Sequence, residues 1–117
     1  LIVHWIEGDI TRAKFPMNRF VIWHDRAVFH FLTDPADRHA YVERVLSSVR
    51  PGGHVIVATF AEDGPEKCSG LPVMRYHPEA LHAVFGDTFQ LIEHEKEAHH
   101  TPFGTVQQFV YCYCRKR

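Results

Sequence analysis

No apolar run in this 117-residue sequence approaches the roughly 20 residues that a bilayer-spanning helix needs. Leu1-Ile2-Val3 has neither the charged start nor the h-region length of a signal peptide. Cysteine is scarce. Cys68, Cys112 and Cys114 are odd in number and lack the spacing of a disulfide framework, so a reducing, cytoplasmic setting is expected. Histidine is plentiful, yet His94, His99, His100 and the Cys112-x-Cys114 pair do not reproduce Cys-x₂-Cys or helical His-x₃-His spacing, so no metal is expected. Neither a Gly-x-Ser-x-Gly elbow nor a P-loop occurs, which argues against serine hydrolysis and P-loop phosphate chemistry. Excess charge is lacking too: the formal net charge is −1, which gives no pull toward nucleic acid or an anionic membrane. Arg115-Lys116-Arg117 is too short to alter that balance and reads as a solvated end.

What remains is an ordinary globular composition, 45% hydrophobic and 23% charged, of a size suited to one domain over residues 1–117. No internal repeat, low-complexity segment or linker interrupts it. The first residue is leucine, and the chain opens on β-prone residues without a polar lead-in. That reads either as removal of preceding residues or as a reading frame beginning inside a larger ancestral domain.

Leu1–Ile6 reads as a short strand ended by Glu7-Gly8-Asp9. Phe20–Trp23 is a second strand, apolar on both faces, as in a covered parallel sheet. A short helix is expected over Arg26–Leu32. A longer one starts at Asp34 as N-cap with Pro35 at its first position, and Val42, Val45, Leu46 and Val49 recur at helical spacing. It is expected to stop at Pro51-Gly52-Gly53, before a buried strand from His54 to Phe60. Ala61–Tyr76 is a long connection rich in glycine and proline, of a length usually tied to function. A helix from Pro78 ends at Gly86. Phe89–Glu97 and Thr105–Cys114 are strands joined by a turn, hence antiparallel neighbours.

This order, with Glu7-Gly8-Asp9, the run Trp23-His24-Asp25-Arg26-Ala27-Val28-Phe29-His30-Phe31-Leu32 and then Arg50-Pro51-Gly52-Gly53, resembles the class I S-adenosylmethionine-dependent methyltransferases from their third strand onward. It looks most like the small-molecule, thiopurine-methyltransferase-like kind. The resemblance implies an α/β fold: a truncated Rossmann-like methyltransferase sheet, mostly parallel, with a C-terminal antiparallel hairpin and helices on both faces.

Site roles follow from the same resemblance. Asp9 matches the acid that accepts from an adenine amino group, and the backbone N–H of Ile10 would meet a ring nitrogen. His24 would lie near the sulfonium, Phe29 would close over the adenine, and Asp25 would hold the loop or face a substrate. His24 and Asp25 are the catalytic candidates, as bases for an acceptor that must lose a proton. Read from the residues alone, His24 is equally a strand-end histidine, Asp25 a helix cap and Asp9 a turn residue. Lys67, Cys68 and Arg75 sit where such enzymes carry a substrate-facing loop; Lys67 beside Cys68 would lower the thiol's pKa, but Cys68 reads first as a solvent-exposed, unreactive thiol.

The family's glycine-rich loop and ribose-binding acid have no counterpart in these residues. Two missing charge-assisted hydrogen bonds at ~1.5–3 kcal/mol each predict S-adenosylmethionine binding weakened by roughly 10²–10⁴. The functional expectation is methyl transfer to a small molecule by an enzyme impaired in cofactor binding. The alternative is a non-catalytic remnant serving as a dimeric binding or assembly module. Either way the apolar strand Phe20–Trp23 would be an open edge, so a homodimer through that edge is expected, unless Leu1–Ile6 slides into the vacant slot.

Overall fold

The structure, a computed structural model, describes residues 2–117. Four strands form one sheet: β1 (Phe20–Arg26), β2 (Val49–Phe60), β5 (Phe89–His100) and β6 (Val106–Lys116), in the order β1-β2-β6-β5. β1 and β2 pair in parallel, while β6 runs antiparallel to both β2 and β5. Three strands therefore point one way and β6 alone runs against them. A second sheet is a small hairpin of β3 (Lys67–Cys68) and β4 (Leu71–Pro72) within the long connection. The helices are α1 (Pro35–Ser48) and α2 (Pro78–Phe85).

Local chemistry explains the helices. Asp34 Oδ1 accepts from the Ala36 N–H at 2.8 Å, and Pro35 occupies a position that needs no donor. Tyr41 and Val45 are buried, with Val42 and Leu46 packed at the margin. The α1 C-terminus is closed from afar: the Lys116 ammonium donates to the Leu46 and Val49 carbonyls at 2.5 and 2.7 Å. The basic tail is thus not simply solvated, because Lys116 satisfies carbonyls that the helix end leaves open. α2 ends at Gly86, whose φ of 80° suits glycine.

Both helices bury their apolar residues against the same face of the sheet. Tyr41 and Val45 of α1, Leu81 and Phe85 of α2, and Val55, Val57, Cys112 and Cys114 of the sheet share one cluster. The expectation of helices on both faces is met on one face only. β1–α1–β2 and β2–α2–β5 both advance in the same direction across the sheet, and crossovers of one hand then place their helices together.

Three boundary expectations are also corrected. Residues 2–6 form no strand; they are exposed, and among the described residues no strand pairs with them. Leu1 lies outside the described residues. The expected helix over Arg26–Leu32 is one 3₁₀ turn, Phe29–Phe31. α1 stops at Ser48, and Pro51-Gly52-Gly53 lies inside β2, beside a register irregularity between Phe20 and Ile22. Gly53 is required there: a Cβ would sit 2.6 Å from Val49 Cγ1 and 3.0 Å from the Val21 carbonyl.

Candidate functional site

A pocket of about 260 Å³ opens at the carboxyl end of β1. Its walls are Trp23, His24, Asp25 and Arg26 of β1, Val28 just beyond, Tyr41 of α1 and Ile10 of the preceding connection. The carboxyl ends of parallel strands are where open α/β sheets place ligands.

Asp25 organises this rim. Its carboxylate accepts from the Val28 N–H at 3.0 Å and the Phe29 N–H at 3.1 Å, which fixes the turn after β1. It also accepts a short hydrogen bond from the Tyr41 hydroxyl, which in turn accepts from Trp23 Nε1 at 2.9 Å. Burial pushes the Asp25 carboxyl above its ordinary value, against the opposing pull of these hydrogen bonds. Burial, reinforced by the neighbouring carboxylate, pushes the Tyr41 hydroxyl up as well, so Tyr41 remains a donor. With its oxygens engaged and the residue 7% exposed, Asp25 holds the rim and is poorly placed to take a proton from a substrate. His24 differs. It is exposed and borders the pocket, so it can reach a bound molecule.

Asp9 forms a local turn. Its Oδ1 accepts from the Thr11 N–H and hydroxyl at 2.9 and 2.7 Å, and its carbonyl accepts from the Arg12 and Ala13 N–H groups. The Thr11 hydroxyl holds the Asp9 carboxyl below its ordinary value. Ile10 borders the pocket and Asp9 does not. Phe29 is the clearest departure from expectation. It is fully buried, stacks on Tyr76 with centroids 5.8 Å apart and packs against Tyr41 and Phe85, so it belongs to the core rather than to a ligand. Asp25 turns the chain inward at this point, and Val28, half exposed, faces the pocket instead.

The residues of the long connection lie elsewhere. Lys67 is exposed in β3, Cys68 packs on the Ala58–Phe60–Phe109 cluster, and Arg75 donates to the Gly64 carbonyl at 3.2 Å. None of the three borders the pocket. Arg26, which the sequence reading passed over, does, and it is held across the sheet by the Tyr111 hydroxyl at 3.0 Å and the Phe109 ring at 4.2 Å. Trp23 and Tyr41 were also missed; 18 residues apart in sequence, they meet through a hydrogen bond and edge-to-face rings 5.6 Å apart. Among the described residues, no group of three or more His, Cys, Asp and Glu side chains could hold a metal ion, and no helix is long and apolar enough to cross a membrane.

No protein-family model matches the sequence, and no curated protein sequence matches it either. Solved structures do resemble the fold. An S-adenosylmethionine-dependent methyltransferase from Methanosarcina mazei superposes with a TM-score of 0.74 at 12% identity, over 93% of this chain and 65% of that one. This is the fold of the class I S-adenosylmethionine-dependent methyltransferases. The N-methyltransferase NodS from Bradyrhizobium japonicum WM9, solved with S-adenosyl-L-homocysteine, shows the same methyltransferase fold: TM-score 0.70, 12% identity, 96% of this chain and 53% of that one. The 1,6-didemethyltoxoflavin-N1-methyltransferase of Burkholderia thailandensis, solved with 1,6-didemethyltoxoflavin and S-adenosylhomocysteine, gives 0.71, 18%, 95% and 49%. The chain therefore spans about half to two-thirds of these methyltransferases. β1, β2 and β5 run parallel and β6 alone antiparallel in the terminal hairpin, the mostly parallel sheet that the sequence resemblance implied.

Proposed function

We propose that this chain takes part in S-adenosylmethionine-dependent methyl transfer to a small molecule and binds the cofactor weakly by itself. The observation that carries this reading is the pocket at the carboxyl end of β1, with Ile10, His24 and Val28 around a rim fixed by Asp25. Its volume of about 260 Å³ lies below the ~300–1,000 Å³ that encloses a drug-sized ligand. The residues present fit one end of such a cofactor: Ile10, Trp23 and Val28 offer apolar walls to a nucleoside. S-adenosylmethionine supplies, when bound, a methyl group on a sulfonium for attack by an acceptor nucleophile. His24 is the group available to take a proton from that acceptor, while Asp25, Tyr41 and Trp23 hold the rim in place. Alignment of acceptor and methyl, worth up to ~7–11 kcal/mol in the best cases, would then be the main source of rate.

Titration calorimetry with S-adenosylhomocysteine tests the proposal. Saturable one-to-one binding that His24→Ala or Val28→Asp weakens supports it. Absence of heat at millimolar ligand favours the second reading, a non-catalytic binding or assembly module. The small open pocket and the local engagement of Asp9 with Thr11 are the observations that favour that module.

A further inference from the structure

We infer that Cys112 and Cys114 form a reversible redox site, closed to an intrachain disulfide by hydrogen peroxide and reopened by a dithiol reductant. Both lie on β6, the strand between β2 and β5, and both face the helix-covered side of the sheet. Cys112 stands opposite Val57 and His94, and Cys114 opposite Val55 and Leu91. Same-face neighbours on a strand are about 6.6–6.8 Å apart at Cα. The two Sγ atoms are nevertheless only 3.4 Å apart, so both side chains lean into the gap between them. Neither residue borders the pocket at the end of β1, so this site is separate from the one read for methyl transfer.

The two thiols are 2% and 1% exposed, and a lone thiol buried in apolar surroundings is ordinarily inert. This pair differs in two respects. Each sulfur has the other as its polar partner. The shared hydrogen bond holds Cys114 below the ordinary thiol value, against the pull of burial, and together with burial it pushes Cys112 up. Cys114 is thus the attacking sulfur, and Cys112 is the resolving thiol beside it. The cover is also thin. α2 packs on β6 and contributes Leu81 and Phe85 to the cluster that buries the sulfurs. With eight residues, α2 is too short to stand as a helix without that packing. Local opening of such a segment admits a small, uncharged oxidant.

The chemistry runs in two steps. Cys114 Sγ attacks one oxygen of hydrogen peroxide and the O–O bond breaks. The departing hydroxide takes the thiol proton and leaves as water, and Cys114 becomes a sulfenic acid. Cys112 Sγ then attacks Cys114 Sγ, the S–O bond breaks, and the hydroxyl leaves with the Cys112 proton as a second water. Two thiols lose two electrons in all, and the peroxide gains them. The product is uncharged and leaves no S–H to satisfy, which suits its apolar surroundings. A strand holds the two Cα atoms at the upper limit of the ~4.4–6.8 Å that a disulfide spans. The closed bond therefore pulls on β6 where it is laddered to both neighbours. Strained disulfides are readily reduced, so the bond reopens, and while closed it costs the fold stability.

The test treats the folded chain with hydrogen peroxide and reads an unreduced digest by mass spectrometry. The expected result is a peptide holding Cys112 and Cys114 that has lost two hydrogens and regains them with dithiothreitol. The denaturant midpoint should fall on oxidation and recover on reduction. Cys114→Ser should slow oxidation at this site by about 10-fold or more, because the attacking thiol is gone. Cys112→Ser should stop at a sulfenic acid that dimedone traps. Circular dichroism checks that both variants fold, and the unsubstituted protein decides the matter without them. A pair that stays reduced while Cys68 is oxidised overturns the inference. So does a Cys112–Cys114 bond that appears only at the rate of global unfolding, which would mean inert packing thiols. A disulfide between two chains overturns it equally, as does a bond that raises the midpoint or resists dithiothreitol.

Discussion

The two faces of the sheet are built from the same strands, yet they are unlike. On one face Val55, Val57, Val110, Cys112 and Cys114 meet Phe29, Tyr41, Val45, Leu81 and Phe85, all buried. On the other, Ala58, Phe60 and Phe109 are covered at one end by the long connection, while Ile22 lies open and the middle is held by polar pairs. Those pairs are Arg26 with Tyr111 and Tyr113 with His54. The difference teaches that apolar patterning on both faces of β2 reports what a strand can bury, not what covers it. Stability should therefore be concentrated on the helix-covered face.

The largest expected effect tests that concentration directly. Phe29→Ala removes a fully buried ring that joins the 3₁₀ turn to α1, α2 and Tyr76. A loss of about 3–5 kcal/mol is expected in denaturant unfolding, enough to unfold a marginal domain. Ile22→Ala, at an exposed position on the other face, should change monomer stability by only about 0.5 kcal/mol or less. Equal losses would break the comparison.

Between the faces stands His30, fully buried, with Nδ1 accepting from the Phe60 N–H at 3.1 Å and Nε2 without a partner. Desolvation lowers its pKa to about 4. The unfolded chain therefore binds a proton that the folded chain refuses between the ordinary value near 6.5 and about 4. Stability contributed by neutral His30 is complete above that window and is lost as pH falls through it, by about 3 kcal/mol in all. His30→Asn keeps an acceptor for the Phe60 N–H and should flatten the profile over this range. Unfolding midpoints of the two proteins from pH 7 to 4 check this, and parallel profiles would refute it.

The strongest sequence signals were local ones. Asp34-Pro35 and helical spacing marked α1, and Gly86 marked the end of α2. The terminal hairpin was legible because alternation and a short turn act within one stretch of chain. Residues 2–6 differ for the opposite reason: strand propensity expresses packing against neighbours, and among the described residues no strand pairs with them. The site was only half legible. His24 and Ile10 do border the pocket, but Trp23 and Tyr41 reach it through a contact between distant residues. Phe29 points the other way because Asp25 captures its N–H and turns it inward. The run from Ala27 to Leu32 shows no period that distinguishes Val28, which faces the pocket, from Phe29, which faces the core.

A smaller effect concerns the carboxylate that holds this turn. Asp25→Asn preserves shape but places an amide donor where two N–H groups and the Tyr41 hydroxyl already donate. One buried donor is left unsatisfied, at about 1–3 kcal/mol. Because burial raises the Asp25 pKa, the native carboxyl favours folding most when protonated, and its contribution falls as pH rises through the folded value. Desolvation of the anion sets that direction, so the cost of Asp25→Asn should be larger at acidic than at neutral pH. Chemical denaturation at both pH values measures it. A loss that instead grows toward neutral pH would show the anion, with its three hydrogen bonds, to be the favoured form.

The smallest effect sharpens the contrast between faces. Tyr113→Phe deletes the hydroxyl that pairs with His54 Nδ1 at 2.8 Å on the uncovered face. The ring keeps its place 5.6 Å from the imidazole, and water can reach the half-buried His54. A net loss of about 0.5–1.5 kcal/mol is expected, since a solvated partner recovers most of what the protein bond supplied. Denaturant unfolding at neutral pH reads this out. A loss approaching that of Phe29→Ala would mean that the polar middle of this face is as dry as the core, and that something beyond a single layer of side chains shields it.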